Sequence, residues 1–199
     1  MGKEHHLIFV PGLGDNTKLL TWAVSRFQQD GLKPQVHTTP WAGTERTFRP
    51  KLDRLVRKID DIAANGHKIT LVGASAGASA VLNAYSERRD KVDSVVNVCG
   101  RLRAGTQVFP SLHLASSRHP AFRESVTLFE NENEPTLTDS DRRKVLTIQA
   151  AFDESVPKST TPLEGATNIV LPWIEHNIAI YATLLFSRRA INDFIKSLG

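Results

Sequence analysis

The chain has 199 residues, 40% of them hydrophobic and 23% charged, which suits one globular domain over 1–199 and excludes a disordered protein. The single cysteine, Cys99, excludes a disulfide framework and a multi-cysteine zinc site. The formal net charge is +4, but the basic pairs Arg88-Arg89, Arg142-Arg143 and Arg188-Arg189 lie far apart and near acids, so no nucleic-acid partner is expected.

Strand-like and helix-like segments alternate along the chain. Leu7 to Val10 is a short apolar run ended by Pro11-Gly12, as in a strand buried on both faces. Lys18 to Asp30 carries Leu20, Val24 and Phe27 on one helical face, and Gly31 stops it. Pro34 to Thr38 is a weaker strand. Lys51 to Ala64 places Leu52, Leu55, Val56, Ile59 and Ile62 at the spacing of an amphipathic helix, ended by Asn65-Gly66. Ile69 to Val72 is the next buried strand, and Ala76 to Arg89 a helix with a small-residue face. Val92 to Val98, Val145 to Ala150 and Thr167 to Leu171 complete the strands. Ile178 to Leu198 is a closing helix with Leu184, Ile191, Phe194, Ile195 and Leu198 inward. This alternation predicts βαβ units, right-handed crossovers and a parallel sheet. The rhythm breaks once, at Arg101 to Lys144, where Ala121 to Phe129 is a candidate helix. That excursion reads either as a small lid or as a crossover helix with a surface loop.

Gly73-Ala74-Ser75-Ala76-Gly77 fits G-x-S-x-G. Five residues alone are a weak signal, but the motif follows a buried strand and opens a helix, the setting a nucleophile elbow requires. The turn holds the serine in a strained conformation, and the flanking glycines remove side chains that would collide with the neighbouring strand and helix. The serine oxygen is then presented at a helix N-terminus, where backbone N–H groups stabilise developing negative charge. No Gly-Lys-Ser/Thr ending follows, which disfavours a nucleotide P-loop.

On these residues the chain resembles the α/β-hydrolase fold family of serine hydrolases, over nearly its whole length. The resemblance implies a three-layer α/β/α fold with a mostly parallel six-stranded sheet of order 2-1-3-4-5-6. Because the first strand, at Leu7, already leads into a Gly-containing turn, the family's two opening strands are expected to be absent, and the resemblance then implies a minimal hydrolase with a fairly open site. The turn Val10-Pro11-Gly12-Leu13-Gly14-Asp15 matches the family's oxyanion turn, with Pro11 where many members have His. By position, the oxyanion donors are the backbone N–H groups of Leu13 and Ala76. The family's acid follows the next-to-last strand, which implies Asp153 in Phe152-Asp153-Glu154-Ser155-Val156-Pro157, with Glu154 pointing elsewhere. Its base follows the last strand, which implies His176. The other six histidines lie at the wrong end of the sheet, near the second strand, before their strand, or in the excursion.

Ser75, His176 and Asp153 then serve as nucleophile, general base and orienting acid. The expected activity is carboxylic-ester hydrolysis through an acyl-enzyme. The same three residues also serve thioesterases, amidases, peptidases and acyltransferases, and a non-catalytic binding module shares the fold. The reaction calls for no metal or organic cofactor, and the expected partner is a small-molecule acyl substrate. Trp41, Trp173, Arg101 and Arg103 are candidate substrate-binding residues, since each lies near a strand's carboxyl end. Cys99 reads as a small core hydrophobe. No apolar stretch approaches the about 20 residues of a membrane span, and the charged Met1-Gly2-Lys3-Glu4 start lacks a signal peptide's apolar region, so a cytoplasmic location is expected.

Overall fold

The computed structural model describes residues 2–14, 18–105 and 109–198. Six strands form one sheet: β1 (His5–Val10), β2 (Lys33–Val36), β3 (Lys68–Ala74), β4 (Ser94–Val98), β5 (Val145–Phe152) and β6 (Thr167–Ile174). Their order is β2-β1-β3-β4-β5-β6, and every neighbouring pair is parallel. The order reverses beside β1, so the loops after β1 and β3 diverge there and open a crevice at the carboxyl edge.

The sheet is covered on both faces, which is why β1, β3 and β4 carry the apolar runs Leu7 to Val10, Leu71-Val72 and Val95-Val96. Ile8, Val10, Leu71 and Val95 point to the face covered by α2 (Arg49–Ala63), α3 (Ala76–Glu87) and α5 (Pro120–Leu128). Their sequence neighbours Leu7, Phe9, Val72 and Val96 point to the face covered by α1 (Lys18–Ser25), α7 (His176–Phe186) and α8 (Arg188–Ser197). The first helix tightens into a 3-10 turn over Arg26–Asp30 and ends at Gly31, whose φ of +81° favours glycine.

Two expectations need correction. The closing helix is two helices, broken at Ser187. Arg188 supplies the physical reason: its guanidinium lies 2.8 Å from Asp30 and donates to the carbonyl of Arg26, which ties the start of α8 to the end of the first helical segment. Leu198, expected inward, lies past the end of α8 and is exposed.

The excursion contains α4 (Leu112–Ala115), α5 and α6 (Asp139–Arg143). Between α5 and α6 the chain makes a π turn over Phe129–Asn133 and a 3-10 turn over Glu134–Thr136. Ala121, Phe122, Val126 and Phe129 are buried. Ser125 hydrogen-bonds Ser79 of α3, and its carbonyl accepts from Asn83, so α5 is pinned to α3 by polar as well as apolar contacts.

His37, just past β2, donates its backbone N–H to Phe9, and its ring is desolvated near Lys58 and Arg54; burial, then these cations, lower its pKa to about 4. Burial also lowers His5 and His6. Because these folded values lie below the ordinary value of about 6.5, the unfolded chain binds more protons as the pH falls. Their contribution is fully present above about pH 6.5 and is lost as the pH falls through the folded values. Urea titrations at graded pH should therefore show a midpoint that declines from about pH 6.5 toward 4. His37→Gln should flatten that decline; an unchanged slope would sink the assignment.

Candidate active site

The site is built on backbone close approach. Ser75 sits between β3 and α3 with φ +52° and ψ −121°, a conformation that L side chains rarely adopt. A Cβ on Gly73 would lie 2.5 Å from the carbonyl oxygen of Gly77, and one on Gly77 would lie 2.1 Å from that of Val10. Only glycine fits two residues either side of the serine. The β1 loop approaches equally closely, since a Cβ on Gly12 would lie 2.8 Å from the Cβ of Ser75. Leu13 is therefore held in the loop facing the serine, and Ala76 is the first residue of α3. Asp15, the last residue of the Gly-containing turn, lies outside the described residues.

Two further loops bring their side chains to the serine. The Ser75 hydroxyl is 2.9 Å from Nε2 of His176, the first residue of α7. Nδ1 of His176 is 2.8 Å from Oδ2 of Asp153, just past β5. Both side chains are nearly sealed, at 8% and 4% exposure. Asp153 Oδ1 accepts backbone N–H bonds from Ser155 and Val156, at 2.9 and 2.8 Å. A carboxylate only accepts, so Asp153 fixes the ring proton on Nδ1 and leaves the Nε2 lone pair facing the serine hydroxyl. Three residues separated by 101 and 23 positions are thus joined in one line.

They open into a cavity of about 520 Å³. Gly12, Leu13 and Ser75 form its floor, and Leu20, Phe122 and Ile180 give apolar walls. The rest of the expected substrate contacts are corrected. Trp41 is buried in the core, stacked on Phe48 and edge-on to Phe122, behind the β1 loop. Trp173 is half-buried and packs on the face covered by α7. Arg103 donates to the Pro162 carbonyl and pairs with Glu134. None of these three lines the cavity. Arg101 does touch it, but it is 1% exposed and its guanidinium donates to the carbonyls of Arg103, Ala104 and Pro110, so it braces the loop. Burial lowers its pKa, with Glu130 opposing. Cys99 is buried at the end of β4, and burial followed by the charge of Asp153 pushes its thiol up to about 12, which leaves it a poor nucleophile.

Two acids at the site escaped sequence reasoning. Glu154, expected to point elsewhere, lines the cavity and accepts the backbone N–H of His176 at 3.1 Å. Glu175 has φ +74°, and its carboxylate caps α7 by accepting from the N–H groups of Asn177 and Ile178. Those two backbone bonds hold its pKa low. An acid just before the first helical residue was a readable capping signal; the contact of Glu154 was not readable, because it joins loops from different strands.

At the opposite edge of the sheet, the ligating atoms of Glu4, His6 and His67 lie within 4.8 Å of one another. One Glu4 oxygen already receives Lys33 at 2.8 Å, and Nδ1 of His67 accepts the Glu4 N–H, so the group is satisfied as a hydrogen-bonded cluster. Among the described residues, no helix is long and apolar enough to cross a membrane.

No protein-family model matches the chain, and no curated protein matches it in sequence. Solved structures do. A hydrolase from Oleispira antarctica superposes with a TM-score of 0.68 at 12% identity, over 98% of this chain and 92% of that one. A structure from work on carboxylesterases of the ammonia-oxidizing Thaumarchaeon Nitrososphaera gargenis gives 0.68 at 14% identity, over 96% and 91%. A pyrethroid hydrolase, PytH, gives 0.66 at 16% identity, over 98% of each chain. The chain has the α/β-hydrolase fold.

The close approaches at the elbow set a stability test. Gly77→Ala should cost about 3 kcal/mol or more, because it drives a methyl group into backbone. For a chain of this size that lowers Tm by roughly 10 °C. Gly43→Ala, whose nearest contact would be an ordinary 3.5 Å, should change it little. Equal thermal shifts would contradict the packing described.

Proposed function

We propose that the protein is a serine hydrolase of carboxylic esters. The observation that carries this reading is the continuous line Asp153–His176–Ser75, at 2.8 and 2.9 Å, ending in an apolar cavity. Ser75 Oγ attacks the acyl carbonyl while His176 Nε2 takes the hydroxyl proton. The carbonyl oxygen becomes an oxyanion, stabilised by the backbone N–H groups of Leu13 and Ala76. The imidazolium, steadied by Asp153, returns its proton to the leaving alcohol as the C–O bond breaks. Water then attacks the acyl-enzyme with His176 again as base, releasing a carboxylic acid and restoring Ser75.

The ester is preferred as substrate class because the cavity walls are apolar and suit an acyl chain, and because structural neighbours include proteins described as carboxylesterases and lipolytic enzymes. A fluorophosphonate probe should label the wild type at Ser75. Ser75→Ala should escape labelling and lose p-nitrophenyl ester turnover by at least about 10³-fold, and Asp153→Asn should lose a comparable factor. Turnover retained in Ser75→Ala would mean that another group is the nucleophile. A matched panel should rank the ester above its thioester and amide counterparts; the reverse order would move the substrate class.

A further inference from the structure

We propose that Glu154 makes the cavity a recognition site for a cationic group, so that the preferred ester carries an ammonium. The ester part rests on the hydrolase reading above; the cation site does not.

Glu154 is exposed and lines the cavity together with Ser75 and His176. Among the described residues it is the only carboxylate that does so. Its Oε2 accepts the backbone N–H of His176 at 3.1 Å, and its Oε1 accepts the Ser155 hydroxyl at 3.1 Å. These bonds hold the carboxylate in place without neutralising it, because both donors are uncharged. No Lys or Arg among the described residues pairs with it. A carboxylate offers about four lone-pair sites, so acceptor capacity remains for a ligand. The group cannot turn away to bulk water without giving up the N–H at the start of α7, where a helix dipole favours negative charge.

The other charges leave this one exposed to the ligand. Arg101 also lines the cavity, but it is 1% exposed and each of its three nitrogens donates to a loop carbonyl. The nearby charge of Glu130 opposes it further. Asp153, 2.8 Å behind the His176 ring, has the same sign as Glu154. Lys18, Arg118, Arg123 and Lys158 are close in the chain to lining residues but do not line the cavity, nor do the acids Glu124 and Glu175; Asp15 lies outside the described residues. An anionic group between apolar walls focuses its field on a counter-ion entering the cleft. Phe122 and Tyr181 add aromatic lining, whose faces attract a cation. A fixed carboxylate with aromatic neighbours beside the nucleophile suits an ammonium and repels a second carboxylate.

The test varies only the charge at the end of one acyl chain, with the p-nitrophenyl esters of 6-ammoniohexanoate, heptanoate and heptanedioate (the monoester). The wild type should turn over the cationic ester with a kcat/KM at least about tenfold above the neutral one, chiefly through KM, and the anionic ester should rank last. That excess should shrink as salt rises. The pair 4-ammoniobutyl butyrate and pentyl butyrate asks the same of a cation on the alcohol side. Glu154→Gln keeps an oxygen for the His176 N–H and removes the charge, so it should bring the cationic-to-neutral ratio to within about twofold. A residue that only braced His176 would instead slow all the esters alike. Glu175→Gln, an acid outside the cavity lining, should keep the ratio. Equal kcat/KM within both wild-type pairs, a ratio that survives Glu154→Gln, or one lost equally in Glu175→Gln would overturn the proposal; the wild-type ratio and its salt response decide even where a variant fails to fold. Calorimetric titration of Ser75→Ala, which cannot be acylated, should give 4-ammoniobutyl butyrate a Kd at least about tenfold below that of pentyl butyrate. That selectivity in a protein whose wild type turns over no ester would overturn the hydrolase reading and leave the cation site standing.

Discussion

The turn at Ser75 is the constraint on which the rest of the molecule is arranged. With φ at +52°, the serine is lifted off the strand, and the chain can reverse into α3 only because nothing larger than hydrogen occupies positions 73 and 77. The same closeness draws in two other loops. Gly12 brings the β1 loop against the serine's Cβ, and a Cβ on Gly100 would lie 2.1 Å from that of Ala78, so the chain leaving β4 also presses on the elbow. Four glycines from three loops thus enclose one strained residue. The strain of such a residue, of order 1–3 kcal/mol, persists only where the surroundings over-determine it, and here they do.

The polar groups are organised by a related economy: each carboxylate at the site has its orientation fixed by backbone amides. Asp153 gives one oxygen to two N–H groups and has the other left for His176. Glu175 caps α7 and Glu154 accepts the N–H of His176 itself. The imidazole is therefore constrained from both sides, its ring by Asp153 and its backbone by Glu154. Buried charge is tolerated at such a place because it is fully hydrogen-bonded. Arg101 follows the same rule with the opposite sign, its three nitrogens spent on three carbonyls.

What the sequence revealed follows from which of these contacts are local. The elbow was legible because its steric demands fall within five consecutive residues. The sheet order was legible because apolar strands alternating with amphipathic helices leave few topologies. Asp153 and His176 were legible only through family resemblance, since nothing local distinguishes them from other loop acids and histidines. The failures all depend on partners distant in the chain. Trp41 looked like a pocket residue by its place after β2, yet Phe122, more than eighty positions away, helps to take it into the core. Arg101 and Arg103 looked free until folded loops supplied carbonyls and Glu134. The closing helix kept an unbroken apolar rhythm, and its break at Ser187 comes from Arg188 reaching Asp30, which no periodicity encodes.

The excursion shows why a short chain can still wall its site. α5 contributes Phe122 to the cavity, while Ser125 on the same helix is hydrogen-bonded to Ser79 and Asn83 within the core. Asn83 in turn accepts from Asn133 in the following turn. Displacing α5 would strip partners from several buried polar groups at once, each at a cost of about 1–3 kcal/mol. That wall is therefore coupled to α3, whose N-terminus carries the serine, and the apolar surface beside Ser75 stays in fixed register with it. Phe109 and Leu114, next in the chain to the lining residues Pro110 and Ala115, are exposed and stand outside this buried network.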